Sequence, residues 1–246
     1  MNLILSTVLV AMAAATSPAP QPFGEGETLD YTLSWMRMTG GTARMTISPL
    51  PGDPARFRIT SVARSSPGFS RIYKVRDEIE TTVAQTDFST VRYVKKLNER
   101  ERAREETTVI EGGVATRVRK GVTTKLEVPR PIFDPISVIY YLRTLDLSVG
   151  KVHDLTLFDG KIYRLRAHVV RRETIQTPAG RFATVMVEPE MLGDGEAREE
   201  RLFVWYTDDE RRIPVRIRTE IKVGAVTASL SRISTGVEST EPSPLR

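Results

Sequence analysis

From Leu29 onward the chain alternates hydrophobic and polar residues with a period of two. Leu29, Tyr31, Leu33 and Trp35 are separated by Asp30, Thr32 and Ser34. Successive side chains of a strand point to opposite faces, so this is the pattern of a strand with one face buried. The Gly40-Gly41 pair predicts a turn, after which Ala43, Met45 and Ile47 alternate again. The prolines from Pro49 to Pro54 predict a loop. Phe57, Ile59 and Ser61 open another strand, which stops near Ser65-Ser66-Pro67-Gly68. Tyr73, Val75, Asp77, Ile79, Thr81 and Val83 continue the alternation, followed by Val91 and Tyr93. Strands at 107–110 and 114–118 flank the hairpin turn Glu111-Gly112-Gly113.

One segment departs from the period of two. Residues 134–143 predict a helix, with Ile136, Ile139, Tyr140 and Arg143 at i, i+3, i+4 and i+7. Asp134 can accept hydrogen bonds from the first free N–H groups, and Pro135 suits the first helical position. Val138, Tyr141 and Leu142 widen the apolar stripe. So short a helix is marginal alone and must pack on the sheet.

Strands then resume. Those at 152–158 and 161–169 surround Asp159-Gly160, a hairpin signal. Those at 174–176 and 182–187 surround Pro178-Ala179-Gly180, and 193–196 predicts a turn. Strands at 202–206 and 213–221 surround Asp208-Asp209-Glu210-Arg211, and a last one runs over 226–233 after Gly224. Short connections force antiparallel neighbours, because parallel pairs need crossovers. The expected fold is all-β: a large curved antiparallel meander, barrel-like or half-barrel, with one short helix. Residues 23–233 read as a single domain and 234–246 as a polar, disordered tail.

The N-terminus has a different character. Residues 1–15, MNLILSTVLVAMAAA, carry no charged side chain, and the first is Glu25. The run is shorter than the about 20 residues of a membrane span. It fits the apolar core of a secretory signal, with Ala13-Ala14-Ala15 as the small residues before cleavage. The segment lacks the usual Lys or Arg, so cleavage and retention as an anchor both stay open. A Pro-rich linker, 16–22, follows. The expectation is a periplasmic or otherwise exported protein with no transmembrane span once the signal is removed. The absence of cysteine excludes a lipid anchor on cysteine, disulfides and thiolate chemistry.

Charge narrows the partners. Thirty-six Lys and Arg against 31 Asp and Glu leave +5, and the two signs interleave, as in Glu99-Arg100-Glu101-Arg102 and Arg104-Glu105-Glu106. A nucleic-acid binder gathers its cations on one stripe, so no nucleic-acid partner is expected.

Four motifs carry a family resemblance: Pro22-Phe23-Gly24-Glu25-Gly26-Glu27 leading into Leu29-Asp30-Tyr31; Asp134-Pro135-Ile136-Ser137 leading into Tyr140-Tyr141-Leu142-Arg143; Thr177-Pro178-Ala179-Gly180-Arg181-Phe182; and Trp205-Tyr206-Thr207-Asp208-Asp209 with Ile213-Pro214-Val215. In their order and spacing they make the chain from Phe23 to Ile233 resemble the bacterial family known as domain of unknown function 3108. The resemblance implies an exported protein with a large curved antiparallel sheet. It implies no assigned activity, so it supplies no catalytic residues.

The residues themselves offer little catalytic chemistry. His153 and His168 fall on separate strands without metal-binding spacing. There is no G-x-S-x-G and no glycine-rich phosphate loop, and Ser137 reads as a helix-end hydrogen-bonding residue. No metal or cofactor is expected. Asp208-Asp209 is the best enzymatic candidate, since paired carboxylates can share a proton or hold a cation. Within D-D-E-R-R it reads first as a solvated hairpin tip. Asp134 and Arg143 are expected to anchor the helix by capping and ion pairing. The aromatics Tyr31, Trp35, Tyr73, Tyr93, Tyr140, Tyr141, Phe203 and Trp205 come from separate elements. Tyr31, Trp35, Tyr93, Tyr140, Tyr141 and Trp205 are the candidate lining of a ligand-holding hollow, against the alternative of a filled core. Three functional expectations follow: a non-enzymatic binder of an apolar or amphipathic ligand (lipid, glycan or peptide); a structural module that pairs with another envelope protein; and, third, an enzyme using Asp208 and Asp209.

Overall fold

The computed structural model describes residues 22–24, 26–36, 38–71, 74–99, 102–192, 201–222 and 224–236. The signal segment, Tyr73, the 193–196 turn and the tail from 237 lie outside the described residues.

The first half of the chain forms β1 (Glu27–Trp35), β2 (Met38–Leu50), β3 (Asp53–Ser65), β4 (Arg76–Ala84), β5 (Thr90–Glu99), β6 (Arg102–Glu111), β7 (Val114–Arg119) and β8 (Val122–Glu127). A short helix, α1 (Ser137–Leu142), separates these from β9 (Val152–Phe158), β10 (Ile162–Thr177), β11 (Gly180–Leu192), β12 (Arg201–Thr207), β13 (Pro214–Ile221) and β14 (Gly224–Ser234). All fourteen strands join one antiparallel sheet in the order β8-β7-β6-β5-β4-β3-β2-β1-β14-β13-β12-β11-β10-β9. It is therefore two meanders welded where β1 pairs with β14, with Leu33 opposite Ala228 and Tyr31 opposite Leu230.

The outer strands β8 and β9 do not pair, so strand pairing leaves the sheet open. The connection after β8 crosses the gap instead. Thr90 N–H donates to Ile132 O at 2.9 Å, Phe133 N–H to Thr156 O at 2.9 Å, and Phe158 N–H to Phe133 O at 2.7 Å. Beside this crossing, Ile110, Ala115, Val128, Ile132 and Phe158 form a small core of their own. Lys95 on β5 pairs with Asp159 in the β9–β10 turn, and Glu106 on β6 pairs with Lys95 and Arg117.

Several sequence expectations need correction. Gly40 and Gly41 do not turn; they lie inside β2, and the chain reverses around Met36, which takes a positive φ of 47°. Gly41 is required by close approach, because a Cβ there would sit 2.1 Å from Arg64 O on β3. The expected loop over 49–54 shrinks to Pro51-Gly52, since Pro49 pairs with Phe57 and Leu50 with Asp53. The strands expected at 161–169 and 174–176 are one long β10, kinked by a bulge between Val169 and Arg171. Regular helix covers 137–142 rather than 134–143. Both ends tighten into i→i+3 bonds, Ile139 N–H to Ile136 O and Arg143 N–H to Tyr140 O.

The helix lies against one face of the sheet and fills it. Tyr31, Tyr140, Leu29 and Ile47 are buried in the larger cluster, and Leu142 and Leu147 pack with Ala167, Val169, Val185, Val187, Val204 and Tyr206. Asp134 fastens the helix entry. Its Oδ1 accepts from Ile136 N–H (2.8 Å) and Ser137 N–H (3.0 Å), while its Oδ2 accepts from the hydroxyls of Thr81 (2.6 Å) and Thr90 (2.7 Å). Arg143 fastens the exit. Fully buried, it forms two hydrogen bonds to the Glu27 carboxylate and two to Arg211 O. Burial works against the Arg143 cation, but the bond to Glu27 outweighs it and raises its pKa. Among the described residues no helix is long and apolar enough to cross a membrane.

Candidate functional site

The reverse face of the second meander holds an open trough. Register and alternation define its floor. Arg171 stands opposite Met186, Met186 opposite Trp205, Trp205 opposite Arg216, and Arg216 opposite Ser229. A neighbouring row runs Phe203, Arg218, Thr227 and Ser34. Because alternate strand residues point to opposite faces, both rows turn away from Val185, Val187, Val204 and Tyr206 under the helix. The tip of the β10–β11 hairpin curls back over the same face, with Ala179 N–H donating to Leu230 O at 3.0 Å. The space in this open trough is about 1150 Å³, bordered by the residues of the two rows, by Arg201 and Glu220, and by Met36, Ile221 and Ala225.

The trough has an apolar and a polar side. Met186, Phe203 and Trp205 come from β11 and β12; Ser34, Thr227 and Ser229 come from β1 and β14; the β13 residues Arg216 and Arg218 stand between. Three of its arginines have acid partners. Arg171 pairs with Glu173 at 2.8 Å, Arg201 with Glu188 at 2.6 Å and Arg218 with Glu220 at 3.0 Å. Trp205 donates its indole N–H to Glu173 at 2.8 Å. Arg216 differs. Its guanidinium sits 5.8 Å from the Trp205 ring centre and donates to Gln176 O at 2.6 Å, and its buried Nε has no partner among the described residues. Burial lowers its pKa, opposed by nearby Glu173 and reinforced by Arg218.

Of the aromatics singled out from the sequence, Trp205 borders this trough. Trp35 follows Ser34 in β1, so it does not share Ser34's face of the strand, and it meets Phe69 edge to face at 6.3 Å. Tyr31 is buried beneath the helix, donating its hydroxyl to Pro214 O at 2.8 Å, and burial raises its pKa strongly. Tyr140 is equally buried. Tyr93 is buried on β5 with Lys95 Nζ 5.3 Å from its ring centre. Tyr141 stacks on Phe133 at 4.3 Å and borders a separate depression with Phe88, Arg143 and Arg212. The structure thus spreads the six over several sites. The residues that the sequence reading missed are Met186, Arg216, Arg218, Thr227 and Ser229. Their one signal is the unbroken apolar run from Leu202 to Tyr206, which means that both faces of β12 are covered.

Asp208 and Asp209 occupy the β12–β13 turn with separate partners. Asp208 accepts from Arg172 at 2.7 Å, while Asp209 accepts from the Thr207 hydroxyl at 2.6 Å and from Arg211 and Arg212 N–H. Burial would raise the Asp209 pKa, but the bonds from Thr207 and Arg211 prevail and lower it. His153 contacts Asp146 O at 2.8 Å, and His168 lies 3.7 Å from Glu190. Among the described residues no group of three or more His, Asp or Glu is placed to hold a metal ion.

A family model described as a protein of unknown function, DUF3108, matches residues 30–231. The chain belongs to that family. No curated protein matches it. Among solved structures, the β-barrel-like protein of domain of unknown function DUF1849 from Brucella abortus is similar over 85% of this chain and 97% of its own. The TM-score is 0.62 at 12% identity. That likeness places this DUF3108 member among β-barrel-like folds. The hypothetical protein CT021 from Chlamydia trachomatis covers 90% of this chain and 93% of its own, at 7% identity and a TM-score of 0.41. A protein described as exported, with a YmcC-like fold, from Bacteroides fragilis covers 87% and 98%, at 13% identity and a TM-score of 0.35.

Proposed function

We propose that the protein is an exported, non-catalytic binder of the bacterial envelope that holds an amphipathic ligand in the trough. The single observation that carries this reading is the trough itself: about 1150 Å³ of space floored by Met186, Phe203 and Trp205 and walled by arginines and hydroxyls. An apolar floor with a few placed polar groups is the common form of a small-ligand site. The space beneath the helix is packed, so a ligand on that face would have to displace the core. Export is supported by the uncharged apolar segment over 1–15, which ends in the small residues Ala13-Ala14-Ala15.

Native mass spectrometry of the protein isolated from the periplasm tests this reading. The expected result is extra non-protein mass, released by delipidation and reduced when Thr227→Trp fills the trough. Bare protein under every gentle extraction, with no uptake of added amphiphiles, would sink it.

A further inference from the structure

Resting on that binding reading, we infer that the trough selects an amphiphile with an oxyanion head group, carboxylate or phosphate, seated at Arg216 with its acyl chain over Trp205 and Met186. The order of residues along one cross-strand row carries the argument. Met186, Trp205, Arg216 and Ser229 follow one another across β11, β12, β13 and β14. The row passes from two apolar side chains through a cation to a hydroxyl. The parallel row Phe203, Arg218, Thr227, Ser34 repeats the sequence of characters. A ligand lying along the first row meets apolar surface at Met186 and Trp205, bounded by Arg171 with its Glu173 partner, and donors at Arg216 and Ser229.

Charge singles out the head-group position. Arg171, Arg201 and Arg218 are each neutralised within 3.0 Å by Glu173, Glu188 and Glu220. Arg216 has a backbone carbonyl and a ring face instead, and among the described residues no carboxylate lies within ion-pair distance. Its buried Nε is an unmet donor. An oxyanion accepting from its Nη groups would supply the charged partner that Arg216 lacks. Ser229, directly opposite, can supply a further donor. From Arg216 to Met186 is two strand spacings, about 10 Å, a distance a medium-length acyl chain spans.

Isothermal titration of the full chain with dodecanoate, dodecyl phosphate and neutral monododecanoylglycerol, all below micelle formation, tests the inference. The oxyanion ligands should bind about tenfold or more tighter than the neutral one. Arg216→Gln should erase that preference by weakening the oxyanion ligands to the level of the neutral one, and Arg216→Lys should keep part of it. Circular dichroism confirms that each variant is folded. Preference for dodecanoate points to free fatty acids, and preference for dodecyl phosphate to phospholipids. Equal affinity for all three, or an undisturbed preference in Arg216→Gln, overturns the head-group assignment and leaves the binding reading standing. A tetraglutamate peptide binding as tightly as dodecanoate removes the acyl requirement. Failure of all three amphiphiles to bind overturns the binding reading itself.

Discussion

Arg143 and Glu27, 116 residues apart in sequence, meet in a buried two-point ion pair, with Nη1 2.6 Å from Oε1 and Nη2 2.9 Å from Oε2. The pair ties the end of the helix to the first strand, which is also the strand that joins the two meanders. Arg143 reaches Pro22 O and Arg211 O as well, so one guanidinium collects three segments.

Breaking that pair should be severe. Removing one partner leaves the other charge buried and uncompensated, a cost of about 3–5 kcal/mol. Glu27→Gln and Arg143→Leu should each lower the urea midpoint by a corresponding amount. The double variant should lose less than the sum of the two. Additive losses would mean that the pair is not a unit.

Two adjacent glycines should behave differently. A Cβ at Gly40 would touch Phe69 at 3.5–3.6 Å, an ordinary contact, whereas at Gly41 it would strike Arg64 O at 2.1 Å. Gly40→Ala should leave the melting temperature nearly unchanged. Gly41→Ala must push β2 and β3 apart and should destabilise by about 1–3 kcal/mol or more. Equal melting temperatures would refute this account of why β2 contains Gly41.

The clasp between the outer strands should weaken in acid. Burial raises the Glu106 pKa, but Arg117, Lys95 and Arg119 together bring it below its ordinary value. A carboxyl whose folded pKa is depressed contributes stability that is present above its unfolded pKa, about 4.3. That contribution is lost as pH falls through the lower folded value. Hydrogen exchange at the Phe133 and Phe158 amides should therefore accelerate on acidification more than at Tyr31, beyond the intrinsic pH effect. In Glu106→Gln the two sites should follow the same pH profile. Identical profiles in the unaltered protein would remove Glu106 from the clasp.

Most of the sheet is legible in the sequence because one face of most strands is buried and alternation records it. The exceptions have physical causes. Every residue of β8 is exposed, including Val122 at 63%, so no apolar face marks it. The arms of β5 and β6 are read as strand only in part, because Lys95, Lys96, Glu105 and Glu106 place charges on both faces. Gly41 looks like a turn because sequence does not show that a neighbouring backbone comes within reach of its missing side chain. The trough was hidden for a similar reason. Its rows run across strands, and Met186, Trp205, Arg216 and Ser229 are far apart along the chain. Trp205 stands out in the sequence as an aromatic, but the basic neighbour that gives it a chemical setting appears only when register is known.

The most direct test is fluorescence quenching of Trp205 in Trp35→Phe protein, whose one remaining tryptophan reports on the trough floor. Titration with a dibrominated fatty acid should quench it saturably at one ligand per chain, and unbrominated acid should reverse the quenching by competition. Quenching no greater than that of free tryptophan in solution, with no saturation, would contradict a ligand seated against Met186, Trp205 and Arg216.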